Sequence, residues 1–179
     1  FRTDLLSNWM NVVAVRDPNA RFEIVTRDDA LHVRKALDPM NNLAERLSIG
    51  SQPPKDMPEA LHSHDLSVMF FFNGLSKLGS APTRLAEVLG CGLPVVANEG
   101  VGDVAKIIRE NNVGVIIEGE NEEDIHMAFD TLQKLMQDTD LSSRCRATAK
   151  TIFSLESGTE AYHNIYTEIL KSNDSSCVV

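Results

Sequence analysis

Cysteine is scarce in this sequence: Cys91, Cys145 and Cys177 form an odd set with no C-x-x-C spacing. Such a set excludes a disulfide scaffold and fits a reducing compartment, so the cytoplasm is the expected location. Long apolar runs are also missing. No stretch approaches the ~20 residues that a bilayer-spanning helix needs, so no transmembrane segment is expected. Basic charge is in the minority, with 17 Lys and Arg against 26 Asp and Glu and a net charge of −9. A chain that grips a nucleic-acid backbone carries the opposite bias, so nucleic acid is not an expected partner. Any anionic ligand must be held by local donors. The start, Phe1-Arg2-Thr3-Asp4, has neither an initiator Met nor signal-peptide architecture. It reads as a point inside a longer folded unit. Cys91 is expected to be a small buried hydrophobe, and Cys177-Val178-Val179 stops one residue short of a prenylation box.

What is present is an ordinary globular composition, 42% hydrophobic and 24% charged over 179 residues. That length suits one domain, expected over residues 1–171, with a flexible tail over 172–179. Apolar residues at Leu5, Leu6, Trp9, Met10, Val12 and Val13 predict a helix over Leu5–Val15, punctuated by Asp17-Pro18-Asn19. A strand over Phe22–Thr26, a helix over Ala30–Leu37 and a weaker strand over Arg46–Ile49 follow. Pro58 suits the first turn of a short helix ending near Ser63. Leu66–Phe72 is almost continuously apolar, as befits a strand covered on both faces. A polar loop, Asn73–Ser80, leads to a helix from near Pro82 to Gly92. The strand Pro94–Ala97, the helix Val104–Glu110 and the strand Val115–Ile117 come next. Ile125, Phe129, Leu132 and Met136 share one face of a helix over Asn121–Gln137. Two more helices, about Leu141–Phe153 and Glu160–Leu170, complete the expected elements.

Short apolar runs alternating with helical segments are βαβ spacing. The expected fold is therefore an α/β doubly wound parallel sheet, Rossmann-like, with Phe22–Thr26, Leu66–Phe72, Pro94–Ala97 and Val115–Ile117 as buried strands. Open sheets of this kind bind ligands beyond the carboxyl ends of their strands. The loops after Thr26, Ile49, Phe72, Ala97 and Ile117 are the places to search.

The richest of these loops runs from Asn73 to Arg84. Gly74 and Gly79 permit close backbone approach, and Ser80 is a candidate N-cap ahead of Pro82. A helix start presents unpaired N–H groups and a partial positive charge, which suits phosphate. Lys77 or Arg84 could add a local cation. An ordinary capped strand–loop–helix junction explains the same residues, since neither a P-loop nor a G-x-G-x-x-G fingerprint is present. Glu87 stands one turn into the helix. Dipole complementation and acceptance of two ribose hydroxyls both account for it.

The stretch from Ser80-Ala81-Pro82-Thr83-Arg84 through Leu85-Ala86-Glu87-Val88-Leu89-Gly90-Cys91-Gly92 to Leu93-Pro94-Val95-Val96-Ala97-Asn98 resembles the C-terminal nucleotide-sugar-binding domain of retaining, family 4-like GT-B glycosyltransferases. The turn Asn98-Glu99-Gly100-Val101-Gly102-Asp103, the upstream Asp17 to Val25 step and the downstream Asn112-Val113-Gly114-Val115-Ile116 fit the same pattern. The resemblance implies a nucleotide-diphosphate sugar donor site made of Lys77, Gly79, Ser80, Thr83, Arg84 and Glu87. In it Glu87 binds ribose and the Ser80–Thr83 amides contact the diphosphate. It implies no metal or other cofactor. Many members carry a second, sugar-contacting Glu eight positions before the first; here that position is Gly79. The family's domain opens with a strand and Gly-containing loop, so the first strand is expected to be missing here. The saccharide acceptor would be held by an N-terminal domain that this chain does not include.

The leading expectation is thus a glycosyltransferase, of the kind used in polysaccharide biosynthesis, whose 179-residue chain alone transfers no sugar. Peripheral membrane attachment of the full-length protein is compatible with it. A non-catalytic α/β nucleotide-binding or interaction module and a nucleotide-sugar epimerase of similar architecture are the alternatives. His62 and His64 lie on different sides of a helix, and His32, His126 and His163 are isolated, so none is an expected metal ligand. The acidic run Glu118, Glu120, Glu122, Glu123 and Asp124 reads as a solvated helix start.

Overall fold

The computed structural model describes residues 2–174. Helix α1 (Thr3–Arg16) buries Leu5, Trp9, Met10, Val12 and Val13. Its exit is tied down by Arg46, whose guanidinium donates to the carbonyls of Ala14, Asp17 and Ala20 at 3.1, 2.8 and 2.8 Å. These are carbonyls that a helix end and turn leave without intrahelical partners. Strand β1 (Phe22–Val25) then leads to α2 (Ala30–Leu37), capped by Asp29, whose carboxylate accepts the His32 N–H. Strand β2 (Leu47–Gly50) runs parallel to β1, and α3 (Met57–His62) follows with Pro58 in its first turn. Strand β3 (Ser67–Met69) precedes a short helix α4 (Leu75–Leu78) and α5 (Thr83–Gly90). Next come β4 (Val95–Asn98), α6 (Val104–Asn111), β5 (Gly114–Ile117) and α7 (Glu122–Leu135). Helices α8 (Leu141–Phe153) and α9 (Leu155–Asp174) finish the described chain.

All the strand pairs are parallel, in two ladders of order β1-β2 and β3-β4-β5. Side chains alternate between the faces of a strand, and the core divides accordingly. Val96, Val115 and Ile117 pack with α1 and α7 in one hydrophobic cluster. Val95, Ala97 and Ile116 pack with α5, α6 and α8 in the other. Helices thus cover both faces, which is the doubly wound arrangement the βαβ spacing predicts. The ladder β1-β2 contributes Phe22, Ile24, Leu47 and Ile49 to the same cluster as α1 and Phe70, so the two ladders share one core although β1 and β3 are not paired.

Four expectations change. Strand β1 is not buried along its length, because it is paired on one side only and Glu23 faces solvent. Strand β3 stops at Met69 rather than Phe72, because β4 turns away after Asn98 and no strand remains to pair with. The loop 73–80 contains a helical turn, α4. Helix α9 starts at Leu155 rather than Glu160, since the Ser154 hydroxyl accepts the Ser157 N–H at 3.1 Å and caps it there. The helix runs to Asp174, and the part of the expected tail over 175–179 lies outside the described residues. The acidic run does start a helix: Asn121 and Asp124 form a reciprocal capping box.

Trp9 holds the first cluster together. Its ring meets Phe70 and Phe129 edge-on, at centroid distances of 6.3 and 6.1 Å. It joins α1 to the exit of β3 and to α7, burying a large ring in favourable geometry. Trp9→Ala should therefore lower stability by about 3–5 kcal/mol, read as a fall in urea midpoint at unchanged m-value.

At the start of α1 the Arg2 guanidinium donates to both carboxylate oxygens of Asp4 and to Glu120. The hydrogen bonds that Asp4 accepts from Arg2 hold its carboxyl at about 2, against an ordinary 3.8. The folded value lies below the unfolded one, so the pair's contribution to stability is present above about pH 4 and disappears as pH falls toward 2. An NMR titration should find the Asp4 midpoint near 2. In Arg2→Ala it should rise to the usual carboxylate range; an unmoved midpoint would show that Arg2 is not the cause.

Candidate functional site

The carboxyl ends of β1 and β2 open into a cleft of about 560 Å³. Its floor comes from Val25, Thr26, Arg27, Ser51 and Gln52, one wall from Pro54, Met57, Pro58 and Leu61, and the other from Arg84, Glu87 and Cys91 on and just after α5. The size suits a small organic ligand, and the mixture of apolar wall and a few polar groups is typical of such sites. Thr26 is fixed at the rim, its N–H on the Gly50 carbonyl at 2.7 Å and its hydroxyl on Asp28 at 3.0 Å. Two cations, Arg27 and Arg84, and one anion, Glu87, face a common space. A ligand bearing both hydroxyls and negative charge meets complementary groups there.

Beyond β3 and β4 the chain builds a second feature. The Asn98 side chain is buried at 6% exposure. Its Oδ1 accepts the Phe71 N–H at 2.8 Å, while its Nδ2 donates to the Phe71 carbonyl, the Asn73 side chain and the Glu99 carbonyl at 2.9, 3.2 and 3.0 Å. The amide thus continues the ladder by one residue after the β4 backbone has left it. Glu99 pairs with Arg109 of α6, which also reaches Glu118 at 2.9 Å. Its hydrogen bonds to Glu99 and, to a lesser degree, to Glu118 raise the Arg109 pKa, so it is a fixed charge. A small polar cavity of about 30 Å³ lies among Arg2, Asn73, Asn98, Glu99, Glu118 and Glu120.

Of the residues expected to form a donor site, Arg84 and Glu87 line the large cleft, both exposed on α5. Lys77 is half-buried in α4, and Gly79, Ser80 and Thr83 lie on the approach to α5 without lining the cleft. Ser80 is not the N-cap. Pro82 takes that position in an extended conformation and Thr83 is the first helical residue, with no side chain capping the helix. Proline's ring sets φ and leaves no N–H to satisfy, so the chain enters the helix directly after it. Cys91 is half-buried at the cleft, not a core residue. Cys145 is the buried one, its thiol pushed up to about 11 by burial, and Cys177 lies outside the described residues.

Thr26, Ser51 and Gln52 carried no signal in the sequence beyond their place after short strands. Asn98 had one: a polar amide ending a run of buried β residues. His64 meets Glu23 at 2.7 Å and His62 meets the Pro58 carbonyl at 2.6 Å, so each has a local partner. Among the described residues no group of three or more His, Cys, Asp or Glu could hold a metal ion, and no helix is long and apolar enough to cross a membrane.

A doubly wound α/β unit with a cleft beyond the carboxyl ends of its parallel strands is the arrangement in which open sheets bind small ligands. Residues 5–152 match the family of glycosyl transferases group 1, and the chain belongs to it. The architecture is that of a Rossmann-like half-domain of the GT-B fold. No curated protein matches the chain. Among solved structures it is similar to a TarM mutant from S. aureus in complex with fondaparinux, alpha-GlcNAc-glycerol and UDP (TM-score 0.67, 23% identity, 92% of this chain). It is also similar to WaaG, a glycosyltransferase involved in lipopolysaccharide biosynthesis (0.60, 17%, 84%), and to the sucrose-phosphate synthase of Thermosynechococcus elongatus (0.68, 16%, 93%). The chain spans 32%, 38% and 43% of the length of these three proteins.

Proposed function

We propose that this chain is the donor half, family 4-like and retaining, of a glycosyltransferase that moves a sugar from a nucleotide diphosphate to a saccharide acceptor. The observation that carries the reading is the joint presence of Glu87 and Arg84, singled out from sequence, on the wall of the 560 Å³ cleft. Glu87 accepts the ribose hydroxyls. Arg84, with Lys77 and the amides from Ser80 to Thr83 at the start of α5, meets the diphosphate. As the sugar–phosphate bond breaks, negative charge grows on the departing diphosphate, and fixed cations and helix-start N–H groups stabilise that charge. The TarM relative was solved with UDP, a ligand of this class. The place of a second carboxylate is taken by Gly79, so the sugar is held without one there. The acceptor belongs to a domain outside the chain.

A hydrogen bond to a charged group contributes about 1.5–3 kcal/mol, so Glu87→Gln should weaken nucleotide diphosphate binding roughly tenfold to a hundredfold with the fold intact. A 2′,3′-dideoxy nucleotide should bind wild type and variant nearly equally. Calorimetry on the whole native protein makes the test, and unchanged affinity in the variant would remove Glu87 from the site.

Glycosyl transfer requires both substrates to be positioned together, an advantage worth roughly 7–11 kcal/mol of barrier. The 179-residue chain by itself is therefore expected to give no transfer to saccharide acceptors in a radiolabelled-sugar assay. Protein-dependent transfer by the purified chain would contradict the proposed division of labour.

A further inference from the structure

We infer that the turn after β4, residues 98–102, is a brace that positions the 73–80 loop for the diphosphate, with Asn98 and Gly102 as its two positioning residues. The inference rests on the proposed donor site and adds to it the element that sets the loop's shape.

The loop has little of its own to hold it. Leu75 and Leu78 are 89% and 59% exposed, and α4 is a single turn. Its fixed points come from the neighbouring turn. At the loop's entry, the Asn98 amide grips both backbone groups of Phe71 and the Asn73 side chain. In its middle, the Gly102 N–H donates to the Lys77 carbonyl at 2.9 Å. At its exit, the Gly102 Cα packs so closely on Ser80 that an added Cβ would collide with the Ser80 carbonyl oxygen. Gly100 closes on Asn73 in the same way, an added Cβ falling 2.7 Å from Oδ1. Both glycines have positive φ, +87° and +42°, which a side chain would strain. The turn itself is immobilised by buried Val101 and by Glu99 on Arg109.

The contacts thus reach the loop at its entry, middle and exit, and all come from one turn. They act on the residues leading into α5, whose amides must face the diphosphate together. They do not touch the wall formed by Glu87, nor the Ser51 and Gln52 floor. A disturbed brace should therefore cost affinity for the diphosphate and spare affinity for the nucleoside.

The test compares Gly102→Ala and Asn98→Ala with wild type in the whole native protein. Titrations with UDP, GDP and ADP first identify the nucleotide bound, and the corresponding nucleoside is then measured beside it. Gly102→Ala should weaken diphosphate binding by about tenfold to a hundredfold, the scale of one misplaced charge-assisted hydrogen bond. Nucleoside affinity should change by less than about twofold, within the ordinary scatter for a group not in contact. Equal losses for both ligands, or none for either, would overturn the brace while leaving the donor-site reading in place. A wild type that binds none of the three diphosphates would overturn the donor-site reading and the brace with it. Hydrogen exchange gives a readout without ligand. Gly102→Ala should speed exchange in peptides covering 71–82 and leave β4 and β5 protected, and unchanged exchange over 71–82 would overturn the brace even if Asn98→Ala proved too unstable to purify.

Discussion

The rest of the structure depends on the complete burial of β4. Val95 and Val96 are fully inaccessible and Ala97 nearly so, and the two hydrophobic clusters meet the strand from opposite faces. A strand covered on both sides has no room for a polar side chain unless every hydrogen bond is made, because an unpaired buried amide costs several kcal/mol at about 2–7. Asn98, its last residue, satisfies this condition by pairing with the Phe71 backbone and the neighbouring loop. The core thereby dictates the geometry of the loops above it. The most buried strand ends in a side chain that connects the interior to the start of the 73–80 loop.

The unpaired edges of β1 and β3 give the molecule a second character. The ladder β1-β2 is held to the rest by packing, through α1 and the Trp9 cluster, rather than by strand-to-strand hydrogen bonds. Packing is less directional than a ladder, and the cleft lies where the β1-β2 ladder and α5 face each other. Two Arg residues and one Glu meet there across elements distant in sequence. With a net charge of −9, the chain's overall field repels anions, so local cations such as these are what an anionic ligand would need.

The relation between sequence and structure differs from element to element. Helix α7 was legible from Ile125, Phe129 and Leu132 on one face and from its acidic start, while the Asn121–Asp124 capping box that fixes that start came from the structure. Strands β4 and β5 were legible because an apolar run with both faces covered leaves no other reading at that length. The ends of β3 and α9 were not. The first was decided by the neighbouring strand's turn at Gly100, the second by the Ser154 hydroxyl competing with a downstream start. The N-cap of α5 lies two residues beyond the expected Ser80, which has the right chemistry, because Pro82 is extended and Thr83 is the first helical residue.

The sequence by itself determined the order of helices and parallel strands and most of the buried faces, because these follow from hydrophobic period, and it singled out Arg84 and Glu87, which stand one turn apart on α5 and line the same cleft. Only the tertiary structure decided that the strands form two ladders over a shared core, that Thr26, Arg27, Ser51 and Gln52 join Glu87 around one cleft, and that Asn98 and Gly102 hold the loop before α5. These depend on contacts between residues far apart in sequence, whose geometry is set by how whole elements pack and not by any local preference.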